Sequence, residues 1–103
     1  YTGERTEDGC GVTVEDAGRP RGLDPRFDLR NHSPSGFEWG YGGSGPAQLA
    51  LALAADVLAD DEAALDVYQR LKFRVVGRLP EVGWTLTEAE LTDAIRSLAR
   101  SGE

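Results

Sequence analysis

The sequence predicts an α+β domain over residues 1–103: a small antiparallel β-sheet, made of an N-terminal hairpin plus one or two short strands, packed on three C-terminal helices. Three observations carry this prediction. Apolar and polar residues alternate in the first part of the chain, the pattern of half-buried strands. At Pro46 the pattern switches to helical spacing. Caps and a proline stop then divide the remainder into three helical segments.

The hairpin pairs Tyr1–Arg5 with Val12–Glu15 around TEDGCG, where Asp8-Gly9 is a hairpin-turn signal. Val12 and Val14 define its buried face. Residues 16–26, punctuated by Gly and Pro, read as a loop. In RFDLRN, Phe27 and Leu29 alternate with Asp28 and Arg30, which predicts a short third strand. NHSPSG is a turn, because Pro34 disfavours helix at Ser33. FEW, residues 37–39, adds a brief fourth strand.

The first helix starts at Pro46, with Ser44 or Gly45 as N-cap. PAQLALALAADVLAD is apolar on nearly every side, so this helix is expected at the centre of the molecule. The second helix covers DDEAALDVYQRLKFRVVGRL. Its inner stripe is Ala64, Tyr68, Leu71, Val75 and Leu79, and Pro80 ends it. Asp66 is placed to pair with Arg70 one turn on. The third helix opens with the capping box Thr87 and Glu90, stapled by Leu86 on Leu91, and turns Leu91, Ile95 and Leu98 inward.

Charge narrows the function. Eighteen carboxylates against eleven cations leave a net charge of −7, which argues against non-specific nucleic-acid binding. Cys10 is the sole cysteine and His32 the sole histidine, so neither an intrachain disulfide nor a Cys/His zinc site is expected. The acidic cluster Asp56, Asp60, Asp61 and Glu62 lacks calcium-loop spacing and reads as helix capping, so no metal site and no cofactor is expected. No apolar run reaches transmembrane length and no signal peptide is evident, so no membrane partner and a reducing cytoplasm are expected.

The segment before the first helix is the richest in chemistry. Gly42, Gly43 and Gly45 permit close backbone approach, and a glycine-rich turn into a helix start can direct N–H groups at an anion. Tyr41 could stack on a ligand there, with Ser44 as a hydroxyl donor. The phosphate-loop pattern is absent, because no Lys follows the glycines. The same glycines equally serve a sharp bend and close helix packing. His32, Ser33, Glu38 and Ser44 do not form a recognisable nucleophile–base pattern, so no catalytic residue is assigned. Arg70, Arg74 and Arg78 recur every four residues as a cationic ridge.

The stretch NHSPSGFEWGYGGSGPAQLALALAADVL, with YTGERTEDG, YQRLKFRVVGRLP and GWTLTEAEL, resembles a family of short proteins catalogued only as a domain of unknown function. The resemblance covers almost the whole chain and implies a compact domain, with no activity, substrate or catalytic residue attached. Two functions follow from the residues themselves. The first is a non-enzymatic module that binds another protein or its own copy through residues 30–45 and the arginine ridge. The alternative is a binder of a small anionic ligand, a nucleotide or metabolite, at the glycine-rich loop: Tyr41, Gly42, Gly43, Ser44 and Gly45, with His32 and Glu38 nearby.

Overall fold

The computed structural model describes residues 1–100, with side chains through Leu98; the last three residues of the expected 1–103 domain lie outside the described residues. Strands β1 (Thr2–Thr6), β2 (Gly9–Asp16) and β3 (Arg19–Gly22) precede helices α1 (Ser44–Leu58) and α2 (Asp61–Arg74). A 3₁₀ turn at Val76–Arg78, strand β4 (Gly83–Thr85) and helix α3 (Glu88–Arg100) complete the chain. The sheet is antiparallel with strand order β3-β2-β1-β4. The molecule is therefore α+β, as the alternation and the change of period at Pro46 predict.

The first hairpin closes over Glu7 and Asp8. Thr6 faces Gly9 across it, and Gly9 takes φ +118°. Thr6 Oγ1 accepts the Asp8 N–H at 3.2 Å, tightening the turn. The inner face carries Val12 and Val14, both buried, and sets Gly3 beside Trp84.

Two expected strands are absent and two unexpected ones take their place. Ala17 and Gly18 both have positive φ, the geometry of a two-residue hairpin turn, so residues expected to form a loop continue as β3. All four β3 residues are exposed, and Pro20 suits an edge strand, so no alternation betrays it. Residues 26–30, expected as the third strand, coil into a turn instead. Asp24 Oδ1 accepts the Arg26 N–H, Arg26 takes φ +58°, and the Leu29 N–H returns to the Arg26 carbonyl. Residues 37–39 form no strand either, since positive φ at Gly36 and Gly40 breaks the extended run at both ends. The fourth strand is β4, whose three residues pair with Thr2–Glu4.

Helix α1 is the centre of the molecule. Every residue from Gly45 to Ala55 is buried, on all sides of the helix. Its leucines join one core cluster with Val12, Val14, Trp39 and Trp84, with Ala64, Val67, Tyr68 and Leu71 of α2, and with Leu91, Ile95 and Leu98 of α3. The N-cap is Gly43, one residue before the expected Ser44 or Gly45, and no side chain caps it. Ala59 ends the helix in the left-handed conformation, returning its N–H to Ala55.

Asp60 caps α2 by accepting the Ala63 N–H at 3.1 Å. The helix ends at Arg74 rather than continuing to Leu79. Val75 leaves helical geometry at φ −125°, the chain tightens into the 3₁₀ turn, and Gly77 within it packs closely, a β-carbon there lying about 3.1 Å from the Lys72 carbonyl and 3.2 Å from that of Tyr41. Arg78 thus leaves the helical ridge that holds Arg70 and Arg74. Thr87 and Glu90 form the expected capping box, each side chain bonding the other's backbone N–H, at 3.0 and 2.8 Å.

Candidate functional site

The segment Gly36–Gly45 is a strap joining the sheet, α1 and the end of α2. Trp39 is completely buried, and its Nε1 donates to the Glu81 carbonyl at 3.1 Å. The Gly40 N–H donates to the Val76 carbonyl at 3.1 Å. Gly40 has φ +87° and lies close to the Leu79 carbonyl and Glu81, so glycine is required there on two counts. Arg5 fastens the strap from β1. Its Nε donates to the same Glu81 carbonyl, its Nη1 lies 3.0 Å from Glu38 Oε1, and its guanidinium carbon sits 5.2 Å from the Trp39 ring centroid.

Glu38 places its side chain against the first turn of α1: a β-carbon on Gly45 would collide with it. The Glu38 Cβ and Cγ thus fill the space beside Gly45, while its carboxylate pairs with Arg5. Pro46 has no N–H and the Ala47 N–H bonds to the Gly43 carbonyl, so Ser44 and Gly45 hold the remaining first-turn donors. Gly45 is buried and Ser44 exposed. Glu38, with burial, also pushes the Cys10 thiol up from its ordinary value; burial is the larger cause. That keeps the thiol protonated and weakly nucleophilic.

His32 belongs to a second arrangement. Its Nε2 lies 2.7 Å from Tyr68 Oη, a hydrogen bond to a buried tyrosine rather than to a serine. Its backbone is held by Gln48, which is completely buried on α1. Gln48 Oε1 accepts the N–H groups of His32 and Ser33, and Nε2 donates to the carbonyls of Pro25 and Arg30. All four hydrogen-bonding capacities of the carboxamide are used. The sequence reading missed Gln48 because a single polar residue in an apolar helix carries no spacing signal. It missed Arg5 because an arginine in an exposed hairpin looks ordinary.

A polar cleft of about 180 Å³ lies at the other end of α1, lined by Tyr1, Asp16, Arg21, Asp56 and Glu88 among others. Its groups are bonded to one another. Tyr1 Oη donates to Asp56 at 2.6 Å, and Arg21 bridges Asp56 and Asp16. Burial first, and then the bond to Asp56, push the Tyr1 phenol well above its ordinary value.

The exposed large apolar side chains are Phe27, Tyr41, Phe73 and Val82 among the described residues. Tyr41 is 50% exposed and Phe73 is 62% exposed. A β-carbon on Gly42, next to Tyr41, would be 3.8 Å from the Phe73 ring, so the backbone beside Tyr41 passes close to Phe73. Lys72 Nζ stands 4.2 Å from the Phe73 centroid. Arg70 does not pair with the Asp66 carboxylate as its spacing predicts: Nη2 reaches the Asp66 carbonyl at a long 3.4 Å, and Nη1 is buried without an acceptor among the described residues. Arg5, Arg21, Arg26 and Arg96 are all in ion pairs, whereas Arg70, Lys72, Arg74 and Arg78 are in none among the described residues.

Of the site residues expected from sequence, Tyr41, Gly42 and Ser44 are exposed. Arg70 and Arg74 lie on α2 and Arg78 on the turn that follows; Gly43 lies against the Tyr41 ring, while His32, Glu38 and Gly45 make inward contacts. Among the described residues no group of three or more His, Cys, Asp or Glu could hold a metal ion, and no helix is long and apolar enough to cross a membrane.

The fold is a small α+β domain in which the cations from Arg70 to Arg78 are in no ion pair among the described residues and Phe73 beside them is exposed. Residues 1–97 match the model of a family of unknown function, DUF6166, and the chain belongs to that family. A search of curated proteins gave no match, and neither did a search of solved structures.

Proposed function

We propose that this protein is a non-enzymatic interaction module whose docking face is formed by Tyr41, Phe73 and the neighbouring cations Arg70, Lys72, Arg74 and Arg78. One observation carries the reading: Phe73 stands on the outer side of α2 with more than half its surface in water, next to Gly42 and the half-exposed Tyr41. Exposed rings with cationic neighbours are the residue types that anchor protein–protein contacts. The catalytic alternatives draw little support, because His32 is bonded to Tyr68 and the Cys10 thiol is held protonated.

A small anion at the start of α1 draws less support than the docking face. The Glu38 side chain covers Gly45, Pro46 lacks an N–H, and the Ala47 N–H is bonded to the Gly43 carbonyl, which leaves few donors for an anion.

Photocrosslinking in cells tests the reading. A benzophenone side chain at position 73 is expected to form a discrete adduct, with another protein or with a second copy, and one at Thr13 on the open sheet face is not. Equal yields from the two positions, or no adduct from position 73, would contradict it.

A further inference from the structure

The docking face carries a charge pattern that narrows the partner. Four of the eleven cations fall within Arg70–Arg78, a stretch without a single carboxylate, in a chain of net charge −7. Of the six described arginines outside this stretch, Arg5, Arg21, Arg26 and Arg96 are in ion pairs and Arg19 and Arg30 are in none; Arg26 alone engages Asp28 and Asp61. Within Arg70–Arg78 all four cations are without an ion pair among the described residues, whereas most of the other described arginines have one. Arg70 is the plainest case. Among the described residues its Nη1 is buried without an acceptor, and the only bond it would surrender by swinging outward is the 3.4 Å bond to the Asp66 carbonyl. A buried unsatisfied donor is costly, so a carboxylate that drew Arg70 out would relieve that cost and gain a charge-assisted bond.

We infer that the partner presents a carboxylate-rich segment with an apolar side chain, the carboxylates meeting Arg70, Lys72, Arg74 and Arg78 and the apolar group settling between Tyr41 and Phe73. The inference rests on the docking reading above and deepens it. Aromatic rings beside cations also suit single-stranded nucleic acid, whose bases stack and whose phosphates pair. The surrounding excess of carboxylates disfavours that partner, because a long polyanion would extend past the patch into repulsion, whereas a short acidic segment fits within it.

The test uses the whole protein and three probes: a short synthetic peptide of glutamates interspersed with phenylalanine, the same peptide with every Glu replaced by Gln, and oligothymidylate of equal length. The Glu peptide is expected to bind roughly tenfold or more tightly than the Gln peptide, and to weaken severalfold when salt rises from about 50 to about 300 mM. Lys72→Glu with Arg74→Glu is expected to weaken it at least ~10-fold, because the charges at the patch are reversed. Two control variants, Arg19→Glu and Arg30→Glu, reverse exposed cations outside the patch and should leave binding unchanged, which separates local recognition from net charge. Equal binding of the Glu and Gln peptides, no binding of either, tighter binding of oligothymidylate, or equal losses in the control variants would overturn the inference. Failure of the underlying reading looks different. Adducts at position 73 that map to neutral or basic segments, or to this chain itself, would remove the acidic partner and leave the docking face standing; absence of adducts would remove both.

Discussion

Trp39 and Trp84 meet edge to face, their ring centroids 5.5 Å apart and their planes at 88°. This contact joins the strap before α1 to the edge strand β4, two short pieces with few neighbours of their own. Gly3 makes room for it: on the strand between, any β-carbon would fall inside the Trp84 indole. Gly3→Ala should therefore destabilise the fold by roughly 1–3 kcal/mol, the usual cost of overpacking a filled core. Gly11→Ala, where no atom lies within 4 Å of the new carbon, should stay within about 0.5 kcal/mol of the parent in the same urea titration.

Gln48 should be among the least replaceable polar residues. Gln48→Leu keeps the bulk but strands the N–H groups of His32 and Ser33 and the carbonyls of Pro25 and Arg30. Each stranded buried group costs about 1–3 kcal/mol, so a loss of roughly 3 kcal/mol or more is expected in chemical denaturation. Amide exchange at His32 and Ser33 should quicken before that of α2. Unchanged stability would mean that the loop over residues 25–33 is held by something other than this carboxamide.

The Tyr1–Asp56 bond implies a dependence on alkaline pH. Burial, followed by the bond to Asp56, raises the Tyr1 phenol above its ordinary value, so the folded protein favours the neutral form. A raised value in the folded state gives a contribution fully present below the unfolded value near 10 and lost as pH climbs above it. The stability advantage of the parent over Tyr1→Phe, measured by thermal unfolding, should be constant at neutral pH and shrink above about pH 10. An advantage that stays level through pH 11 would contradict the assignment.

Phe73 should be dispensable for folding. It is 62% exposed, so Phe73→Ala is expected to change the unfolding free energy by no more than about 0.5 kcal/mol. That separation matters, because it allows a loss of crosslinking or binding in the variant to be read as a loss of contact. A drop of several kcal/mol would place the ring in the core and withdraw it from the docking face.

Much of the fold is legible in the sequence. The all-round apolar character from Pro46 onward specifies a buried helix, and α1 is buried from Gly45 to Ala55. The capping box at Thr87 marks the start of α3 because its signal is local. The sheet is less legible because its strands are short and pairing depends on distant residues. Phe27 and Leu29 alternate correctly, yet the Asx turn at Asp24 and the left-handed Arg26 take the chain out of extended geometry. Strand β4 has only three residues, and its pairing to β1 becomes visible only in three dimensions. The proposed docking face is half legible: the arginine spacing is in the sequence, but the helix end at Val75 and the position of Phe73 beside Gly42 come from tertiary packing.

The central claim is that the glycine-rich segment is a fastening rather than an open mouth, so that recognition falls to the surface beside it. Native-state hydrogen exchange at the Gly40 amide and the Trp39 indole tests this most directly, since they donate to the carbonyls of Val76 and Glu81, beyond the end of α2. The account predicts exchange of both as slow as that of the Leu49–Leu53 amides in α1. Exchange of Gly40 and Trp39 at the rate of the exposed turn at Glu7 and Asp8, while α1 stays protected, would show a loop that opens freely and would contradict it.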